Sequence, residues 1–234
     1  MLLAKRSFGV STRLYGSQRL RREHLLEIAS FGFEVAELYA APGHVDCRNA
    51  TNIADLQQWL AEARLELHTV AVPAPDTVEQ IEPVLHIARR IPFKALIVQA
   101  TTPRQTGKLV DTLAVIAAPL GVTVTVDSAS MPPIGSVTHF VENAEARVGI
   151  ALDLADAQRQ GDLLDAIETA AEHVTAVRVP IDTAIDWAAV LTTIQKVGYE
   201  GPLVFDLSSG GPPKDRLRQA RTAREQMERL FRRR

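Results

Sequence analysis

A (β/α)8 barrel, an α/β fold in a single compact domain spanning residues 1–234, is what this sequence predicts, and three observations carry the expectation. Short β-rich runs alternate with longer helical patterns along the whole chain, and eight such units can be counted. Spread over eight units, the 234 residues leave about 29 for each, near the minimum for a strand, a helix and two short connections. Such alternation means a parallel sheet covered by helices, and eight repeats favour closure with few insertions. A doubly wound open sheet is the alternative topology.

The units follow in order. Strand Ser7–Thr12 precedes helix Arg21–Ser30, and Phe33–Tyr39 precedes Ile53–Ala63. Leu65–Pro73 leads to Val78–Arg90, and Lys94–Ala100 to Gln105–Ala118. Val122–Asp127 is followed by Val137–Ala146, and Arg147–Asp153 by Leu163–His173. Val174–Pro180 then leads to Trp187–Val197, and Leu203–Leu207 to Lys214–Arg232. Asn52 or Thr51 is placed to cap the second helix and Asp186 the seventh, where a short oxygen side chain accepts an orphan N–H. Gly121, Gly198 and Gly201 stand where a helix stops and the chain turns into a strand. Gly9 and Gly16 do not make a dinucleotide-binding fingerprint, and no P-loop pattern occurs.

Composition narrows the class. With 46% hydrophobic and 23% charged residues, the chain can build a sizeable core, which excludes a disordered protein. Cys47 is the single cysteine, so neither an intrachain disulfide nor an all-cysteine zinc site can form, and a reducing compartment fits. A net charge of -2 argues against nucleic-acid binding through bulk positive charge. No apolar run approaches the roughly 20 residues of a spanning helix, and Met1–Val10 lacks an apolar secretion signal. The expectation is a soluble cytoplasmic protein without membrane or nucleic-acid partners, compatible with a homo-oligomer. The basic amphipathic tail over residues 216–234 reads as a last barrel helix with arginines at its favourable dipole end.

In a barrel of this kind, chemistry sits at the C-terminal ends of the strands. Alternation decides which side chains reach it. Val122, Val124 and Val126 should meet the helices, which turns Asp127 inward; the same rule turns Asp153, Arg178 and Asp206 inward, with Gln99 and Glu37 joining them. The result is a carboxylate cluster around one arginine, although each acid also fits a helix cap or a solvated loop. Crowded carboxylates need an offsetting cation or a proton, and Arg178 offsets one charge. The Pro42–Arg48 loop adds His44, Asp46 and Cys47, which reads mainly as a solvated surface loop.

The segment "AIDWAAVLTTIQKVGYEGPLVFDL", together with "FGVSTRLYG", "LLEIASFGFEVAELYA", "PLGVTVTVDS" and "RVGIALDLADA", resembles the sugar phosphate isomerase/epimerase superfamily with the xylose-isomerase-like TIM barrel. The resemblance spans nearly the whole chain. It implies a divalent metal (Mn, Mg, Co or Zn) held by Glu, Asp, His and Glu on strands five to eight. Those positions are Asp127, Asp153, Arg178 and Asp206 here, and Asp153 alone is kept. The strand-six motif Asp-x-x-His ends in Asp156, and Ala71 and Gln99 stand where histidines are common. Arginine cannot ligate a metal, and shortening Glu to Asp withdraws an oxygen by one methylene. The histidine-rich three-zinc endonuclease branch of the superfamily is not matched.

Two functions follow from this reading. The first is an isomerase or epimerase acting on a small sugar, sugar phosphate or keto acid by acid/base proton transfer. Asp127 and Asp206 would exchange the proton, Arg178 would polarise a carbonyl or hold an anion, and Glu37, His44, Gln99 and Asp156 would contact substrate. Asp153, Asp127 and Asp206 would be the ligands if a metal is retained. The second is a non-catalytic barrel that binds a metabolite or a protein, favoured by the missing histidines.

Overall fold

The computed structural model describes residues 6–75, 77–99, 103–181, 184–207 and 211–232. Eight parallel strands pair in chain order, and the last returns to the first: β1 (Phe8–Ser11), β2 (Val35–Tyr39), β3 (Glu66–Val72), β4 (Ala95–Val98), β5 (Thr123–Asp127), β6 (Val148–Asp153), β7 (Val174–Val179) and β8 (Leu203–Phe205). Closure through β1 and β8 decides for the barrel over the open sheet. The helices among the described residues are α1 (Arg22–Ser30), α2 (Ala50–Ala63), α3 (Val78–Ile87), α4 (Pro103–Ala117), α5 (Ile134–Glu142), α6 (Leu154–Gln160), α7 (Leu163–Ala170), α8 (Trp187–Lys196) and α9 (Pro213–Arg232). None is long and apolar enough to cross a membrane.

All eight expected strands form, within a few residues of their expected ends; Ala100, the expected end of the fourth, lies outside the described residues. Alternation sorts their faces as expected. Val124, Val126, Ile150, Leu152, Val177, Val179 and Phe205 join the large core under the helices. Ala71, Ile97, Ala151 and Ala176 form a separate small cluster inside the barrel. Small residues suit that interior, because strands converge there from all sides.

Three local departures have physical reasons. α6 follows β6 at once, because the Asp153 carboxylate caps it by accepting the Asp156 N–H at 2.9 Å; Gly161, at φ 144, then breaks the chain away from it. α2 begins at Ala50 with Asn49 as its cap, taking the Thr51 and Asn52 N–H groups, so the cap precedes both expected residues. The β2–β3 register skips His68, a bulge that accounts for the poor alternation of "LELHTV".

Candidate functional site at the barrel mouth

β7 contributes the centre of the site. Its register with β6 pairs Ile150 with Val174 and Ala151 with Ala176, so Thr175 is an extra, bulged residue. A Cβ at Gly149 would overlap the Thr175 side chain, and the Thr175 hydroxyl lies 2.9 Å from that of Thr125 on β5. Beyond the bulge, Ala176 and Arg178 alternate inward, and Arg178 stands in register with Asp153.

Arg178 is only 4% exposed, and its guanidinium joins strands that are not its neighbours. Nη1 donates to Asp127 Oδ2 at 2.7 Å, Nη2 to Glu37 Oε1 at 3.0 Å, and Nε to Glu37 Oε2 at 3.4 Å. Burial opposes the charge, but Glu37, Asp127 and Asp206 offset that effect and raise the guanidinium pKa above its ordinary value. The two carboxylates are just as enclosed. Glu37 Oε2 also accepts the Thr69 hydroxyl at 3.1 Å. Asp127 Oδ2 accepts Gln99 Nε2 at 3.4 Å, and Oδ1 accepts the Ala129 N–H at 3.1 Å. Burying three charges together is tolerable only because each is met by the others and by such hydrogen bonds.

Asp153 and Asp206 differ from this sealed triad. Asp153 is partly exposed, and its pKa is raised. Burial is the first cause; the Asp156 N–H and Arg178 act against it, and Asp127 and Asp206 act with it. Asp206, just past β8, pairs with Arg13 at 3.1 Å. Arg13 lies in the 3-10 turn Thr12–Tyr15 after β1, capped by the Ser11 hydroxyl, and its guanidinium stands over the Tyr39 ring at 5.6 Å. With 38% of its side chain exposed, Arg13 is an accessible cation at this mouth, where Arg178 is a closed one.

The structure therefore brings together Glu37, Gln99, Asp127, Asp153, Arg178 and Asp206, and separates two of the expected substrate contacts. His44 is buried rather than solvated: Nδ1 lies 2.7 Å from the Gln18 carbonyl and Nε2 3.2 Å from the Thr12 hydroxyl. Burial lowers its pKa, so the neutral ring acts as a brace between the connection after β1 and the loop after β2. Asp156 is buried in the first turn of α6, paired with Arg159 at 2.8 Å and with Gln160. Cys47 packs against the core with its thiol pushed up to about 12 by burial and Asp46, which removes it as a nucleophile near neutral pH. Arg13 and Thr69 were not singled out in the sequence. Extending the strand-end rule to β1 and the inward rule to β3 would have reached both.

Among the described residues, no three His, Cys, Asp or Glu side chains converge to hold a metal ion. No protein-family model matches the chain, and no curated protein matches it. Solved structures do match. D-allulose 3-epimerase from Methylomonas sp. superposes with a TM-score of 0.78 at 13% identity, over 97% of this chain and 100% of that one. A xylose isomerase-like TIM barrel protein from Mycobacterium smegmatis, in complex with magnesium, gives 0.77 at 11% identity over 97% of both chains. A family 2 AP endonuclease from Brucella melitensis gives 0.70 at 17% identity, over 91% of this chain and 97% of that one. These names span different chemistries, so the likeness speaks for architecture and the site must speak for function. The chain has the xylose-isomerase-like (β/α)8 barrel fold.

Proposed function

We propose that the mouth of this barrel binds a small carbohydrate-like molecule, a sugar, sugar phosphate or keto acid, and moves a proton on it without a divalent metal. The observation that carries the reading is the enclosed Arg178, held between Glu37 and Asp127 at the C-terminal end of the strands. A guanidinium there is a permanent cation that cannot ligate a metal, and it engages the Asp127 oxygen that a metal would need. The donor set does not fit a metal of the kind the resemblance implies. The similar epimerase fold supports a carbohydrate-like ligand.

Within this reading, Asp127 and Glu37 maintain the electrostatic frame, and the proton-carrying role passes from Asp127 to Asp153. A carboxyl with a raised pKa, partly open to the mouth, can hold and return a proton nearer neutrality than an ordinary one. Asp206, paired with Arg13, supplies the second carboxylate. Arg13 takes the role first given to Arg178, meeting a carbonyl or anionic group of the ligand.

The test is hydrogen exchange. The purified protein is incubated in heavy water with keto sugars, their phosphates and keto acids, with and without EDTA, and carbon-bound deuterium is read by NMR. Exchange that survives EDTA and is lost in Asp153→Asn is the expected result. Stoichiometric Mn, Mg, Co or Zn in the purified protein, with exchange that EDTA abolishes, would overturn it. The saturation of Asp127 by three hydrogen bonds favours a second reading, a barrel that binds such a ligand without turnover; ligand-induced thermal stabilisation with no exchange on any substrate would select it.

A further inference from the structure

Outside the ring of strands, α4 and α5 and the turn after β5 border a solvent-open cavity of about 570 Å3, a size typical of small-molecule sites. Its apolar wall is formed by Met131 and Phe140, with Pro132 and Ala144 beside them. Asp111 enters from α4; one of its oxygens accepts the Glu145 N–H at 3.1 Å. No Lys or Arg is among the described lining residues.

A second observation concerns Gly107, which lines the cavity from within α4. Glycine inside a helix costs about 1 kcal/mol relative to alanine. Neither backbone conformation nor crowding requires it here. The position is helical, and a Cβ would meet only Phe140, at an ordinary 3.8 Å. What the missing side chain does provide is width in the cavity.

We propose that this cavity is a second ligand site, apart from the barrel mouth, for a small arylalkyl amine, an aromatic ring carrying a protonated amine on a short alkyl arm. The ring would lie against Phe140 and Met131, both of which favour aromatic contacts, over the bare backbone of Gly107. The ammonium group would pair with Asp111. Nothing in this proposal depends on the chemistry assigned to the mouth.

Three indole probes of matched size test it by calorimetric titration: tryptamine, the neutral tryptophol and the anionic indole-3-acetate. Tryptamine is expected to bind about fivefold more tightly than tryptophol, the order of an accessible ion pair, with indole-3-acetate weakest. Gly107→Leu should abolish binding of all three, while Gly107→Ala, by removing the helix penalty, should raise the melting temperature and report whether the helix tolerates a side chain. Asp111→Asn should erase the preference for tryptamine and keep tryptophol binding. Failure of all three probes to bind, equal affinities, or tryptamine binding that survives in folded Gly107→Leu would each overturn the proposal. So would a dimer of the wild-type chain in gel filtration that Gly107→Leu dissociates, since a second copy would then cover this face.

Discussion

Arg178 Nη1 stands 2.7 Å from Asp127 Oδ2 while Nη2 of the same guanidinium stands 3.0 Å from Glu37 Oε1, so one side chain from β7 ties β5 to β2 inside the barrel. Removing it leaves two buried carboxylates facing each other. Arg178→Met is expected to cost about 3–5 kcal/mol in urea unfolding. Adding Glu37→Gln to Arg178→Met should recover part of that loss, because one of the stranded charges disappears. A loss below about 1 kcal/mol, the range of exposed pairs, would show that the triad is solvated.

Asp153 gives a pH dependence of defined sign. Its raised pKa means that the fold binds the proton more tightly than the unfolded chain, whose aspartates titrate near about 3.9. Its contribution is therefore fully present below that value and is lost as pH rises through the higher folded value. Asp153→Asn keeps a good cap for α6 and carries no charge. It should be more stable than the parent at pH 7, with the difference vanishing at pH 3, as read from denaturant midpoints.

Three buried or half-buried histidines act in the opposite direction. Burial is the leading cause that lowers the pKa of His24, His44 and His68, so their neutral forms belong to the fold. That stability is present above the unfolded value near about 6.5 and is lost as pH falls through the lower folded values. Stability at pH 5 should fall below that at pH 7.5, and His44→Gln should flatten that slope. An unchanged slope would exclude His44 as a contributor.

Gly149→Ala tests the interior packing directly. The new methyl would overlap Thr175, and overpacking of this kind costs about 1–3 kcal/mol. The double variant Gly149→Ala with Thr175→Ala should regain much of the loss, although it forfeits the Thr125–Thr175 hydrogen bond.

Arg13 is exposed enough to be removed cheaply. Arg13→Ala should change stability by less than about 1 kcal/mol while weakening any anionic ligand found in the exchange screen by tenfold or more. Equal weakening of neutral and anionic ligands would assign Arg13 to positioning Asp206 instead.

How far the site was legible in the sequence can be followed residue by residue. Period-two alternation placed Asp127, Asp153 and Arg178 inside the barrel, because strand pleating makes facing a local property. The same rule could not resolve β3, where the bulge at His68 interrupts the period. Nor could it see that the His44 ring would turn in against Thr12, 32 residues away in the chain. Asp153 was read as a site carboxylate, and its second role as the cap of α6 depends on the angle at which the chain leaves β6.

The sequence by itself determined the eight strand–helix units, their order and the residues that face inward, since each follows from patterns a few residues long. Tertiary structure alone decided which carboxylates Arg178 would take. Glu37 and Asp127 lie 141 and 51 residues away from it, and their meeting depends on barrel closure and on the single-residue shift at Thr175. Charge choice in a dry interior is settled by distances of a few ångströms, and those distances are a property of the closed barrel rather than of any one segment.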